Sequence, residues 1–175
     1  VGDMFDGAGF VRGVQRKGFD LTGKRVLVVG SGGVGCAIAA SLAGAGIAAI
    51  SLFDVNTASA EALGQRLKQN YPQIDVRTGS NDPADHDLVV NATPMGMNEG
   101  DALPMDVSRI SPDAFVGEVV MKTEMTAFLQ AAQNRGCRVQ VGSDMLFEQI
   151  PAYLEYFGLP TTTAEVLRDV AQLSY

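Results

Sequence analysis

The run Lys24-Arg25-Val26-Leu27-Val28-Val29-Gly30-Ser31-Gly32-Gly33-Val34-Gly35 constrains this chain more than any other stretch. It is an apolar strand that breaks into G-x-G-x-x-G and then into a helix of small residues, Cys36 to Ala45. Gly30 permits a tight strand-to-helix turn, Gly32 lets backbone N–H groups approach a pyrophosphate, and Gly35 lets the helix pack against the strand. Glycines cluster in any turn, so the bare motif also fits a purely structural loop. Here a strand precedes it, a helix follows, and a carboxylate, Asp54, closes the next apolar segment about 20 residues on. That context points to a dinucleotide site, with Gly30, Ser31, Gly32, Gly33, Val34 and Gly35 around the phosphates and the helix dipole favouring the anion.

Asp54 ends Ile47-Ala48-Ala49-Ile50-Ser51-Leu52-Phe53, which has the length and branching of a second parallel strand. From there its carboxylate can accept from the ribose hydroxyls of NAD. The 2′-phosphate of NADP would meet a like charge and usually needs an arginine. No Arg or Lys lies between Asp54 and Arg66. NAD is therefore expected over NADP, with Asp54, Val55 and Asn56 at the adenosine end. The competing reading makes Asp54 the N-cap of a helix starting near Ala58.

The rest of the chain alternates short apolar strands with amphipathic helices, the pattern of a parallel sheet covered on both faces. Strands are expected near 24–29, 47–53, 74–78, 87–91, 114–120 and 137–141, and helices near 9–16, 34–45, 58–70 and 124–135. The fold class is thus α/β, a doubly wound parallel sheet of Rossmann type. Gly46 and Gly136 stand where left-handed residues end helices. Ala62, Leu63 and Leu67 carry the apolar face of the 58–70 helix. From Asp144 the chain changes character: Met145, Leu146, Gln149, Ile150, Tyr153, Leu154 and Phe157 form a wide helical stripe, Gly158-Leu159-Pro160 stops it, and Thr161 to Thr163 offer caps for a last helix over 164–173. This divides the chain into a dinucleotide-binding domain, 1–143, and a C-terminal helical segment, 144–175.

At 175 residues and 46% apolar content a sizeable core is available, and the net charge of −7 with no basic stripe disfavours nucleic acid or an anionic membrane as partner. No stretch has the roughly 18 apolar residues that span a bilayer, and no leader pattern opens the chain, so a cytoplasmic protein is expected. The start at Val1 suggests an excerpt from a longer chain. Cys36 and Cys137 read as buried packing residues, not as a disulfide or metal pair, and no metal is expected. His86, among Asp82, Asp85 and Asp87, reads as a solvated turn residue.

Four stretches, in order, resemble the cofactor-binding half of the shikimate/quinate dehydrogenases. Gly2-Asp3-Met4-Phe5-Asp6-Gly7-Ala8-Gly9-Phe10 is similar to G-D-N-T-D-G-x-G, and the glycine loop Gly30-Ser31-Gly32-Gly33 follows. Asn91-Ala92-Thr93-Pro94-Met95-Gly96-Met97 matches N-A-T-P-x-G-M at every specified position, and Gly142-Ser143-Asp144-Met145-Leu146-Phe147-Glu148-Gln149 resembles G-x-x-M-L-x-x-Q. The resemblance implies that Asp6 is the carboxylate of a catalytic Lys–Asp pair, whose lysine belongs to an N-terminal substrate domain that this chain does not contain. It implies that Gln149 bonds the substrate's ring hydroxyls, and that the turn Asn91, Ala92, Thr93, Pro94, Met95 lies along the nicotinamide. Backbone groups of Val119 and Gly142 are then contacts to the carboxamide. The implied partners are a small hydroxy acid and the substrate domain of the same parent chain, with a homodimer left open.

Taken alone, Asp6 also reads as a helix cap, Asn91 to Gly96 as an ordinary strand-ending turn, and Gln149 as solvent-facing. The chain departs from the family pattern at three places. Met4-Phe5 stands for Asn-Thr, Asp54-Val55-Asn56 for the Asn-Arg-Thr that grips a 2′-phosphate, and Met121 for the tyrosine of D-x-x-Y. The expected activity is hydride transfer between a nicotinamide and a ring secondary alcohol or ketone of a hydroxy acid. A non-catalytic dinucleotide-binding module is the alternative, and a methylene-tetrahydrofolate dehydrogenase type is disfavoured by Asn91 to Met97.

Overall fold

The computed structural model describes residues 4–172. Gly2 and Asp3 of the first motif and Leu173 of the last expected helix lie outside them. The described residues form one 6-stranded parallel sheet from β1 (Arg25–Val29), β2 (Ala49–Phe53), β3 (Asp75–Thr78), β4 (Leu88–Asn91), β5 (Phe115–Glu118) and β6 (Arg138–Gln140), in the order β3-β2-β1-β4-β5-β6. Strand order reverses between β1 and β4, and in such sheets ligands bind outside the carboxyl ends at that switch point. The alternation along each strand feeds two cores. Val26, Val28, Leu88 and Val90 face α1, α2 and α3, whereas Leu27, Val29, Val89 and Val116 face Ile110, Phe128 and Leu129.

The helices are α1 (Asp6–Arg16), α2 (Gly33–Gly44), α3 (Thr57–Asn70), α4 (Ala127–Asn134), α5 (Gly142–Tyr156) and α6 (Ala164–Val170). α2 ends through Ala45 and Gly46 (φ 86°) and α4 through Arg135 and Gly136 (φ 98°), left-handed stops that only glycine makes cheaply. α1 is wedged between α2 and α5 on a glycine face. A Cβ on Gly7 would lie 2.1 Å from Ala37 O, and one on Gly9 2.6 Å from Met145 O. Its far end is clamped by Arg16 on the buried Glu148 of α5, with Nη2 to Oε2 at 3.1 Å, and Arg168 of α6 reaches Asp144 at 3.1 Å. Arg16 also pairs with Glu165 of α6. Among the described residues no helix is long and apolar enough to cross a membrane.

Several expectations are corrected. β5 stops at Glu118, not 120, so Val119 and Val120 leave the sheet. α1 begins at Asp6, not Gly9, with Phe5 in the N-cap position and no side-chain cap, so Asp6 is a first-turn residue and not the cap. Asn56, not Asp54, occupies the N-cap of α3. The buried face of α3 is Ala60, Leu63, Gly64 and Leu67, leaving Ala62 exposed. In α5 the buried face is rotated onto Asp144, Met145, Glu148 and Gln149, and Phe157 is 68% exposed. Cys36 is half-buried and Cys137 buried, both free, with Sγ atoms near Ser31 O and Ser111 O at 3.3 Å. His86 is not a solvated turn residue. Its Nε2 sits 2.9 Å from Ser51 Oγ, and burial lowers its pKa. His86 lies in the β3–β4 connection, residues 79–87, which carries no helix.

Candidate active site

The glycine loop is built by close approach. Gly30 has φ 106°, and a Cβ there would stand 2.6 Å from Ala92 O, so the loops leaving β1 and β4 touch at the switch point. A Cβ on Gly35 would meet Gly30 O at 2.0 Å, which is why the start of α2 lies against the strand end. At Gly32 the situation is the reverse: nothing lies within 4 Å of the ideal Cβ position. That space adjoins the first turn of α2, which has no side-chain cap and no acidic residue. It suits an anion that uses the free N–H groups and the positive end of the helix dipole.

Asp54 ties this loop to β2. Its Oδ2 accepts from Ser31 N at 2.6 Å and its Oδ1 from Asn56 N at 2.8 Å. A carboxylate has about four acceptor positions, so capacity remains for a ligand's hydroxyls. Val55, 92% exposed, stands beside it. Ser31 is buried and acts through its backbone, and exposed Asn56 does likewise.

The turn after β4 divides the space above the sheet in two. On one side a cleft of about 570 Å³ is lined by Gly30, Asp54, Val55, Asn81, Met95 and Leu103 among others. On the other a cleft of about 360 Å³ is lined by Gly33, Val34, Met97, Val119, Val120 and Met121 among others. Gly32, Ala92, Thr93 and Pro94 border both. Gly142 backs the second cleft from behind, because a Cβ there would meet Val120 O at 2.1 Å and Val119 C at 2.9 Å. Asn91 is fully buried and borders neither cleft. Its Oδ1 accepts from Thr93 N (3.1 Å) and Thr93 Oγ1 (2.6 Å), and its Nδ2 donates to Met95 O (3.0 Å), so it shapes the turn from below.

Gln149 lies where α1 crosses α5, against Gly9, and Asp6 stands in the first turn of α1. Gln149 Cβ would lie 2.9 Å from a Cβ on Gly9, and Gln149 is buried with Oε1 lacking a partner, not turned to water. Tyr153, one turn on, has its pKa raised by burial and by the Asp6 carboxylate nearby. Met4 Cε is 3.8 Å from a Cβ on Gly33, which brings the start of α1 to the glycine loop. Phe5 meets Tyr153 and Tyr156 edge-on, with ring centroids 5.1 and 5.4 Å apart.

Sequence reasoning missed Glu118. It is 0% exposed, and burial pushes its carboxyl up to about 7, against the lowering effect of bonds from Thr126 and Asn91. It also missed Asn81, Leu103 and Pro104 as walls of the larger cleft, where Asn81 Nδ2 donates to Pro104 O at 3.2 Å. The polar, turn-rich character of 81–87 and 98–104 was the available signal.

Residues 14–76 match the ThiF family. The chain is 35% identical over 164 residues to the NAD(+) quinate/shikimate dehydrogenase of Corynebacterium efficiens, an alignment that covers 90% of this chain and 58% of the relative. Its structure superposes on quinate dehydrogenase from Corynebacterium glutamicum in complex with NAD, with a TM-score of 0.85 at 31% identity, covering 96% of this chain and 61% of that one. Over that span the chain is similar to the quinate/shikimate dehydrogenases. A shikimate 5-dehydrogenase from Thermus thermophilus in complex with NADP(H) and shikimate superposes with a TM-score of 0.79 at 27% identity, covering 95% and 62%. The chain thus spans about three fifths of the length of these quinate/shikimate dehydrogenases. Of the residues that depart from their family pattern, Val55 borders the larger cleft, Met121 (46% exposed) the smaller, Met4 is 53% exposed beside the glycine loop, and Phe5 packs on Tyr153 and Tyr156.

Proposed function

We propose that this chain is the cofactor-binding part of an NAD-dependent dehydrogenase of quinate/shikimate type, which interconverts a ring secondary alcohol and its ketone on a small hydroxy acid. The observation that carries the reading is the pair of clefts joined over Gly32 at an uncapped helix N-terminus. A ligand with two bulky halves and a central pyrophosphate fits that shape. The nicotinamide cofactor supplies the hydride chemistry. The protein's part is to hold the two halves apart and orient them. Asp54 accepts from the ribose hydroxyls while excluding a 2′-phosphate, Val119 and Gly142 offer backbone groups to the carboxamide, and the Thr93-Pro94-Met95 turn covers the ring.

Asp6 holds and polarises the lysine that moves the hydroxyl proton, and Gln149, buried with a free acceptor, bonds the substrate's ring hydroxyls. Both the lysine and the rest of the substrate site come from the part of the relatives that this chain does not span. The half-exposed apolar side chains of α5 and Phe157 are the surface that part would cover. Titration with NADH and NADPH, followed by a panel of ring hydroxy acids in the full-length protein, tests the reading. Tighter NADH binding with turnover is expected. NADPH binding as tight or tighter overturns the cofactor assignment, and binding without turnover favours a non-catalytic module.

A further inference from the structure

Glu118 and Asn91 are paired in register as the last residues of β5 and β4, and both are fully buried. Neither can touch a ligand, yet a buried carboxyl is expensive and an apolar residue would fill the place at less cost. What the carboxyl touches explains its presence. Asn91 Nδ2 points to Glu118 Oε2 at 3.5 Å, and the hydroxyl of Thr126, the cap of α4, is close enough to favour the charged carboxyl, whose Oε1 has no other partner. These two residues are the supports of the 93–97 turn. Asn91 holds it from below through Thr93 and Met95, and Thr126 lies beside it, 3.6 Å from a Cβ on Gly96.

The carboxyl also fixes the direction of the Asn91 amide. Reversed, the amide would set its oxygen against Glu118 and Met95 O and its N–H groups against Thr93 N–H, so each of those contacts would become repulsive. Thr93 Oγ1 accepts from Met95 N at 3.1 Å, and the turn closes on itself only in the observed direction. Glu118 is the residue that both supports share.

We propose that Glu118 is a positioning residue: by holding Asn91 and Thr126 it sets how closely the 93–97 turn approaches a dinucleotide lying over Gly32. The proposal rests on the reading of that turn as facing the cofactor. Glu118→Gln and Glu118→Leu in the full-length protein, titrated with NADH by fluorescence and melted in parallel, test it. The Gln variant keeps an acceptor for Asn91 and offers an N–H to the Thr126 hydroxyl, which can accept, and should bind within about 3-fold of the parent. The Leu variant should bind roughly tenfold more weakly, the size of one lost hydrogen bond to a charged group, without a lower melting temperature.

The Leu effect should vanish when Asn91→Ala is already present, because the support it acts through is gone. Parent-like binding by the Leu variant overturns the proposal, as does weaker binding that tracks a lower melting temperature and is not relieved by Asn91→Ala. If the Leu variant does not fold, Thr126→Val against Thr126→Ser decides in the same way, since only serine keeps the hydroxyl. Failure of the parent to bind NADH or NADPH removes the underlying reading instead, and the proposal falls with it.

Discussion

The two clefts are shaped by opposite means. Around Asp54 and Gly32 the walls are made by side chains that are missing, and backbone runs where Gly30, Gly32 and Gly35 leave room. Around Val119 the walls stand on side chains that are present and buried, Asn91 and Glu118, beneath the turn that both clefts share. A site carved by omission tolerates little addition. One held by buried polar groups depends on their mutual satisfaction.

The largest effect should come from outside both clefts, on α1. Asp6→Asn in the full-length protein is expected to lower turnover roughly 10²–10⁴-fold with little change in NADH affinity, the range for a group acting in proton transfer. Steady-state rates alongside a cofactor titration check it, and turnover within a few-fold of the parent would mean that Asp6 only starts a helix. Two glycines then separate space for ligand from space for backbone. Gly32→Val should weaken NADH binding about 100-fold while the melting curve stays put, because its Cβ points into open space. Gly35→Ala should instead destabilise by about 3 kcal/mol in denaturant unfolding, since its Cβ collides with Gly30 O. If both variants fail in the same way, the contrast between the two clefts is wrong.

Glu118 gives the pH prediction. Its folded pKa, about 7, lies above the ordinary carboxyl value of 4.5, so its contribution to stability is full below pH 4.5 and is lost as pH rises through 7. Glu118→Gln should remove that decline and leave the variant more stable than the parent at pH 8, on the order of 2 kcal/mol by denaturant unfolding at several pH values. Equal slopes in parent and variant would show that the carboxyl is not buried as described. The smallest effect is expected for Asp54→Asn with Val55→Arg. This exchanges a repulsive group for a phosphate donor and should shift the NADH to NADPH affinity ratio about tenfold toward NADPH.

How legible each side was in the sequence follows from the same contrast. Gly30, Gly35 and Gly46 could be read directly because a left-handed φ or a close approach is a property of the residue and its neighbours in the chain. The parallel α/β class likewise follows from alternating strands and helices. Asp54 was found as a carboxylate, but its bond to Ser31 N joins two loops and has no local signature. Glu118 was hidden because a single acid within the expected strand 114–120 carries no local signature of burial. The buried face of α5 was misread for a related reason. Asp144 and Glu148 are tolerated inside only because Arg16, Lys17 and Arg168 arrive from α1, its following turn and α6, and helical periodicity knows nothing of partners so far away.

The wedging of α1 between α2 and α5 has a consequence for how the molecule is made. Asp6 belongs to α1, which is synthesised before the sheet, but the surface that seats it is completed by α5, and the Arg16–Glu148 clamp joins residues 132 positions apart. Contacts of such separation form late, after the loop between them has closed. The sheet around β1, β2 and β4 can assemble while synthesis continues. Until α5 has been translated, the part of α1 around Gly9 stays in water, so a chain interrupted before α5 would carry the nucleotide loop with its candidate catalytic acid incompletely seated.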